Sequence, residues 1–190
     1  MPLTPLAVAA LGVLVERPCH PYELMCTLIT RRRDSVVKLR AASLYHVIGA
    51  LRGAGLIRSL GTDKVGNRPE RTTYEITPAG RAALTDAVAA MLATVADEYP
   101  AFDLALSEAH ALPAADVAGL LDQRLTALHG LAGRLRGGLD QAEQSGTPPV
   151  YTIDTRHRLA LVEREIELVE GLRDDIARGA IAWPSSDPDG

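Results

Sequence analysis

Two short runs of residues carry groups suited to gripping a polyanion. In the first, Lys38 and Arg40 precede Ser43, Tyr45 and His46, and Arg52 follows. In the second, Lys64, Asn67, Arg68 and Arg71 crowd a stretch shaped by Gly66 and Pro69. Guanidinium and ammonium groups pair with phosphate oxygens, while hydroxyl, imidazole and amide groups bond to phosphates or base edges. Neither run has the parts of a catalytic centre. Ser43 and His46 share a helix, but no acid is readable as their partner, and no G-x-S-x-G elbow, Walker loop or H-E-x-x-H is present. Cys19, His20 and Cys26 lack zinc spacing and a fourth ligand, and His110, His129 and His157 are dispersed. The expectation is a binding protein with no catalytic residues, no metal and no cofactor.

The elements that must position these groups follow from hydrophobic period and punctuation. Thr4 as a cap and Pro5 at the first helical position open a helix to Glu16, with Leu6, Ala10, Leu11 and Leu14 on one face. Pro21 opens a second helix, Tyr22 to about Arg33, whose buried face is Leu24, Met25, Leu28 and Ile29. Its Arg31-Arg32-Arg33 end reads as a cationic cluster complementing the helix dipole. The third helix runs from about Ala42 to Ala54, where Gly55 stops it. Leu44, Val47, Ile48 and Leu51 mark its apolar stripe, with Ala42, His46 and Gly49 opposite. Strand signals at Leu56–Leu60 and Arg71–Ile76 flank the basic turn as a hairpin. Thr77-Pro78 starts a helix expected to reach about Glu98. Helix, helix, helix, strand, basic turn, strand and helix make a winged helix-turn-helix, in which the third helix reads a DNA groove. The fold class is therefore mainly α with a small β-hairpin wing.

Charge is divided along the chain in the same sense. Residues 1–85 hold 12 Lys/Arg against 6 Asp/Glu, whereas residues 86–190 hold 8 against 18. A basic half that faces nucleic acid and an acidic half that faces away fit this division, as does uneven solvation charge. Two cysteines make no disulfide framework, the N-terminus lacks a basic leader, and no stretch approaches a membrane span. A cytoplasmic location with no membrane partner is expected.

The acidic half reads as two long helices, residues 113–145 and about Asp154 to Arg178, joined through Gly146–Pro149. Leu121, Leu125, Leu128, Ala132, Leu135 and Leu139 alternate spacings of four and three, a coiled-coil-like seam. Leu159, Val162, Ile166, Val169 and Ile176 form the matching stripe, widened by Leu161, Leu168 and Leu172. Association of two subunits accounts for so much apolar surface, and a helical hairpin within one chain is the alternative. The expected division is residues 1–85 for DNA binding, 86–185 for helical dimerisation and 186–190 as a tail. Tyr99, Phe102 and Trp183, with Tyr151, can wall an effector pocket there or simply pack the final segment.

The N-terminal residues resemble the PadR-type regulators. Ser43-Leu44-Tyr45-His46-Val47-Ile48 and Gly55-Leu56-Ile57 look like their recognition helix. Gly66-Asn67-Arg68-Pro69-Glu70-Arg71, Tyr74-Glu75-Ile76-Thr77 and Gly80-Arg81 resemble their wing and following helix, and Leu11-Gly12, Pro18 and His20-Pro21-Tyr22-Glu23-Leu24 match too. Arg52-Gly53-Ala54 departs from the pattern, which has acidic or bulkier residues there. The resemblance covers about the first 85 residues. It implies DNA contacts by Ser43, Tyr45, His46, Asn67 and Arg68. It also implies a homodimeric repressor on double-stranded, inverted-repeat operator DNA, released by a small aromatic or cationic effector. The competing reading is a helical protein-interaction module without sequence-specific DNA binding.

Overall fold

The computed structural model describes residues 3–63 and 71–184. The chain divides into two units, Met1–Asp97 and Glu98–Gly190. In the first unit, helix α1 (Pro5–Glu16) begins where the Thr4 hydroxyl accepts the Ala7 amide at 3.2 Å. Six of its residues, Leu6, Ala7, Ala10, Leu11, Val13 and Leu14, are buried, so it forms the centre on which the other helices rest. Helix α2 (Pro21–Thr30) is capped reciprocally. The Tyr22 amide donates to His20 Nδ1 at 3.1 Å, and the His20 amide donates to the Glu23 carboxylate at 3.0 Å. Helix α3 (Ala41–Gly53) adds Leu44, Ile48 and Leu51 to the same core. Gly55, at φ +71°, turns the chain out of α3 at an angle other residues resist.

Strands β1 (Ile57–Asp63) and β2 (Arg71–Ile76) pair antiparallel, with Ile57 opposite Ile76 and Ser59 opposite Tyr74. The register shifts between Ser59 and Gly61, so Asp63 meets Arg71. Cys19 joins the outer side of β2 by two backbone bonds of 3.1 Å with Tyr74, a link the sequence gives no sign of. Helix α4 (Pro78–Ala93) then returns along α1. Its start is fixed by a tight junction. The Thr77 hydroxyl accepts the Gly80 amide at 3.1 Å and lies 2.8 Å from the Gly55 carbonyl oxygen and 3.1 Å from that of Leu56. Gly80 presses so close that a Cβ there would stand 2.1 Å from the Leu56 carbonyl oxygen.

Four expectations for this unit are corrected. Helix α2 stops at Thr30 rather than near Arg33, because Arg32 turns left-handed and a 3-10 turn, Arg33–Ser35, follows. The Arg31 side chain leaves the cluster to bind Glu16 at the end of α1, with Nη2 2.7 Å from Oε2. That contact holds the Glu16 carboxyl below its usual pKa. Ile29, assigned to the buried face of α2, is exposed. Helix α4 ends at Ala93, not Glu98, since β-branched Thr94 and Val95 favour extended backbone and Val95 has nothing to pack on at 98% exposure.

In the second unit, α5 (Ala101–Ser107) and a 3-10 turn at Ala109–Ala111, neither foreseen, lead into α6 (Ala114–Gln144). Gly146 at φ +67° and a 3-10 turn, Pro149–Thr152, reverse the chain into α7 (Ile153–Ala177). The seam Leu121, Leu125, Leu128 and Ala132 buries against Val162, Ile166, Val169 and Ile176. These residues cover one another within one chain, as in a helical hairpin, while Leu161 and Leu168 of the wider stripe are exposed. Arg124–Glu165, Arg136–Glu163 and Arg173–Asp122 pairs bridge the helices on the outside. Exposed pairs of this kind add little stability but favour one antiparallel register. Among the described residues, no helix is long and apolar enough to cross a membrane.

The Gly80 junction gives a direct test. Gly80→Ala forces Leu56 or the start of α4 to shift and is expected to cost about 1–3 kcal/mol. Chemical denaturation followed by circular dichroism measures that loss, whereas Ala79→Ser beside it is expected to be nearly silent.

Candidate nucleic-acid interface

Helix α3 is held on one side only. Leu44, Ile48 and Leu51 are all buried, a stripe that a 3.6-residue period places along a single face. The same period sends Ala42, His46 and Gly49 to the far side, and all three are exposed. Ser43 and Tyr45 flank them, also exposed, with Tyr45 at 53%. Small residues around one imidazole let the helix backbone come close to a surface. A Cβ added at Gly49 would meet no atom within 4 Å.

The N-terminus of α3 differs from those of its neighbours. Thr4, His20 and Thr77 supply side-chain caps to α1, α2 and α4, whereas Arg40 supplies none to α3. Among the described residues no side chain caps the first-turn amides of α3, which carry the partial positive charge of a helix N-terminus. This is the arrangement that suits a phosphate oxygen.

The cations sort into paired and unpaired sets. Arg31 is bound by Glu16, Arg58 by Glu75 across the strands, and Arg81 reaches the Val15 carbonyl oxygen at 3.4 Å. The side chains of Lys38, Arg40 and Arg52 are exposed and make no hydrogen bond or ion pair with a described residue. All three were singled out from the sequence, and the structure sets them before and along α3. In the helical unit, by contrast, Arg124, Arg136, Arg164, Arg173 and Arg178 all have carboxylate partners. Asp122 and Asp174 together raise the Arg173 pKa.

Of the wing residues, Lys64, Asn67 and Arg68 lie outside the described residues. Arg71 opens β2, its backbone opposite Asp63. The aromatic residues proposed for an effector are only partly gathered. Phe102 and Trp183 both pack on the hydrophobic cluster of the helical unit, but Tyr99 does not and is 91% exposed. The Arg124 guanidinium stacks over the Phe102 ring at 3.4 Å, and the Trp183 indole N–H donates to the Leu112 carbonyl oxygen at 2.8 Å. Tyr151 is exposed as well. Among the described residues, no group of His, Cys, Asp and Glu is arranged to hold a metal.

Comparison with known proteins agrees with this geometry. Residues 10–86 match the model of the transcriptional regulator PadR-like family. No curated protein matches the chain by sequence. Among solved structures, Bacillus subtilis PadR in complex with operator DNA superposes with a TM-score of 0.77 at 17% identity, covering 93% of this chain and 99% of that one. Bacillus subtilis PadR in complex with p-coumaric acid gives 0.70 at 16%, covering 91% and 96%. A PadR-like transcriptional regulator from Bacillus cereus gives 0.65 at 13%, covering 91% and 98%. At these identities the likeness establishes the fold, a winged helix-turn-helix followed by a helical region.

Proposed function

We propose that the chain is a cytoplasmic, homodimeric repressor of promoter DNA, a reading supported by the match of residues 10–86 to the model of the transcriptional regulator PadR-like family. The observation that carries this reading is α3 itself. It offers a small outward face, an N-terminus without a side-chain cap, and unpartnered Lys38, Arg40 and Arg52 around it. In the proposed complex α3 enters a major groove, with Ser43, Tyr45 and His46 reaching base edges or adjacent phosphates. Lys38 and Arg40 hold the strand that the N-terminus of α3 approaches, and Arg52 holds the strand farther along. Lys64, Asn67, Arg68 and Arg71 of the wing grip the neighbouring backbone or minor groove.

A dimer brings two such helices to an inverted repeat, with half-sites about one helical turn or a multiple apart. Residues 98–184 supply the self-association surface. Once the α6–α7 seam is closed, Leu161 and Leu168 on α7 and Leu120 on α6 still stand about half exposed. Apolar side chains left in this way are accounted for by a second copy. Sedimentation equilibrium is expected to return twice the chain mass, and Leu161→Arg with Leu168→Arg to return the chain mass with unchanged helicity. A monomeric wild type would remove this part of the proposal.

A small aromatic or cationic effector, bound near Phe102 and Trp183, lowers DNA affinity by preferring a dimer of different half-site spacing. The Bacillus subtilis PadR structures with operator DNA and with p-coumaric acid support both kinds of partner.

The test is a gel shift with DNA from upstream of the chain's own gene, or with an operator selected from random duplexes, at two salt concentrations. Tight, competitor-resistant binding is expected. His46→Ala and Arg68→Ala should each weaken it by about tenfold. Gly49→Glu should abolish it while slightly stabilising α3, because it places bulk and negative charge on the outward face and removes a helix glycine. Failure of the wild type to select any duplex would favour the protein-interaction reading instead.

A further inference from the structure

Arg32 has φ +53°, and among the described residues it is the one non-glycine residue with a positive φ. This left-handed backbone crowds Cβ against the following carbonyl and is ordinarily occupied by glycine or asparagine. Nothing in the turn calls for an arginine. The Arg32 amide donates to the Ile29 carbonyl oxygen at 2.9 Å. The Arg32 carbonyl oxygen accepts the Ser35 amide at 3.1 Å and the Ser35 hydroxyl at 2.7 Å. Those three bonds involve backbone atoms of residue 32 alone, so glycine would make all of them with less strain.

The side chain is therefore the reason to examine. Its neighbours on either side have intramolecular partners: Arg31 is held by Glu16, and Arg33 also has a contact within the chain. The Arg32 side chain is exposed and makes no hydrogen bond or ion pair with a described residue. It opens the connection that leads through Lys38 and Arg40, both exposed and likewise unpartnered, into the uncapped N-terminus of α3. A strained backbone that carries an uncommitted charge, in the segment feeding the reading helix, has the character of a functional site rather than of a dipole partner for α2.

We propose that Arg32 is a further DNA contact, binding a phosphate of the duplex backbone beside the groove that α3 enters. The connection between α2 and α3 then forms a third gripping element, in addition to α3 and the wing. The inference rests on the DNA-binding reading above.

Arg32→Gly and Arg32→Lys in the full chain separate the backbone role from the charge. The probe is a fluorescein-labelled duplex carrying the operator that the wild type selects from random DNA. Binding is followed by anisotropy across a salt series, and thermal unfolding is followed in parallel. Arg32→Gly is expected to raise the unfolding midpoint by roughly 2 °C. At the same time it should weaken binding about three- to tenfold and flatten the log–log salt slope by about 0.9, the loss of one phosphate contact. Arg32→Lys is expected to keep the wild-type midpoint and slope. An Arg32→Gly variant that binds with wild-type affinity and slope overturns the inference while leaving DNA binding intact. An equal loss of slope in Arg32→Lys overturns it as well. If the wild type selects no duplex, the DNA-binding reading fails and this inference falls with it.

Discussion

The anchoring of α3 by Leu44, Ile48 and Leu51 is the constraint on which the rest of the first unit depends. These side chains bury against the cluster that contains Leu11 and Leu14 of α1 and Leu24 and Leu28 of α2. Burying three branched aliphatic side chains contributes several kcal/mol by removing their apolar surface from water. Rotating α3 about its axis would lose that contribution, so the roll of the helix is fixed. The outward direction of Ala42, His46 and Gly49 follows from it. The wing is tied to the same anchor, because Gly55 ends α3, Leu56 follows directly, and Gly80 packs on the Leu56 carbonyl oxygen. A groove-reading helix and a hairpin are in this way fixed to one core.

Charge is handled differently in the two units. Across the α6–α7 hairpin, Arg124, Arg136 and Arg173 meet carboxylates on the facing helix. In the winged unit, Glu16 and Glu75 neutralise Arg31 and Arg58, while the side chains of Lys38, Arg40 and Arg52 around α3 are left without acids. Unneutralised cations repel one another and add nothing to folding. They are the feature expected where a polyanion supplies the missing charge and releases its counterions on binding.

Much of this was legible in the sequence because it rests on local rules. The Thr4-Pro5 and Thr77-Pro78 starts, the Gly55 stop, and the stripe of Leu44, Ile48 and Leu51 all appear in the structure as the helical period and capping chemistry require. Interactions between distant residues were not legible. The Cys19–Tyr74 bridge joins positions 55 residues apart, and the Arg31–Glu16 pair that rearranges the arginine cluster joins two helices. Neither leaves a pattern in one sequence. The end of α4 was misjudged because an apolar period continues through Val95 with no partner surface there. In the helical unit, heptad spacing identified the seam, but such spacing is the same whether the opposing helix belongs to the same chain or to another.

Site-directed photocrosslinking shows whether the outward face of α3 lies in a DNA major groove. A photoreactive label is attached to a cysteine introduced by Ala42→Cys, in a Cys26→Ser background. Cys26 is exposed and would compete for label, whereas Cys19 is buried and its thiol pKa is raised by that burial. Crosslinks are expected to base atoms on the major-groove edge of the selected operator, at symmetric positions in the two half-sites. A label at Ala160, exposed on α7, should give none. Crosslinks confined to the Ala160 label, or absent from Ala42 while the operator remains bound, would contradict the placement of α3 in the groove.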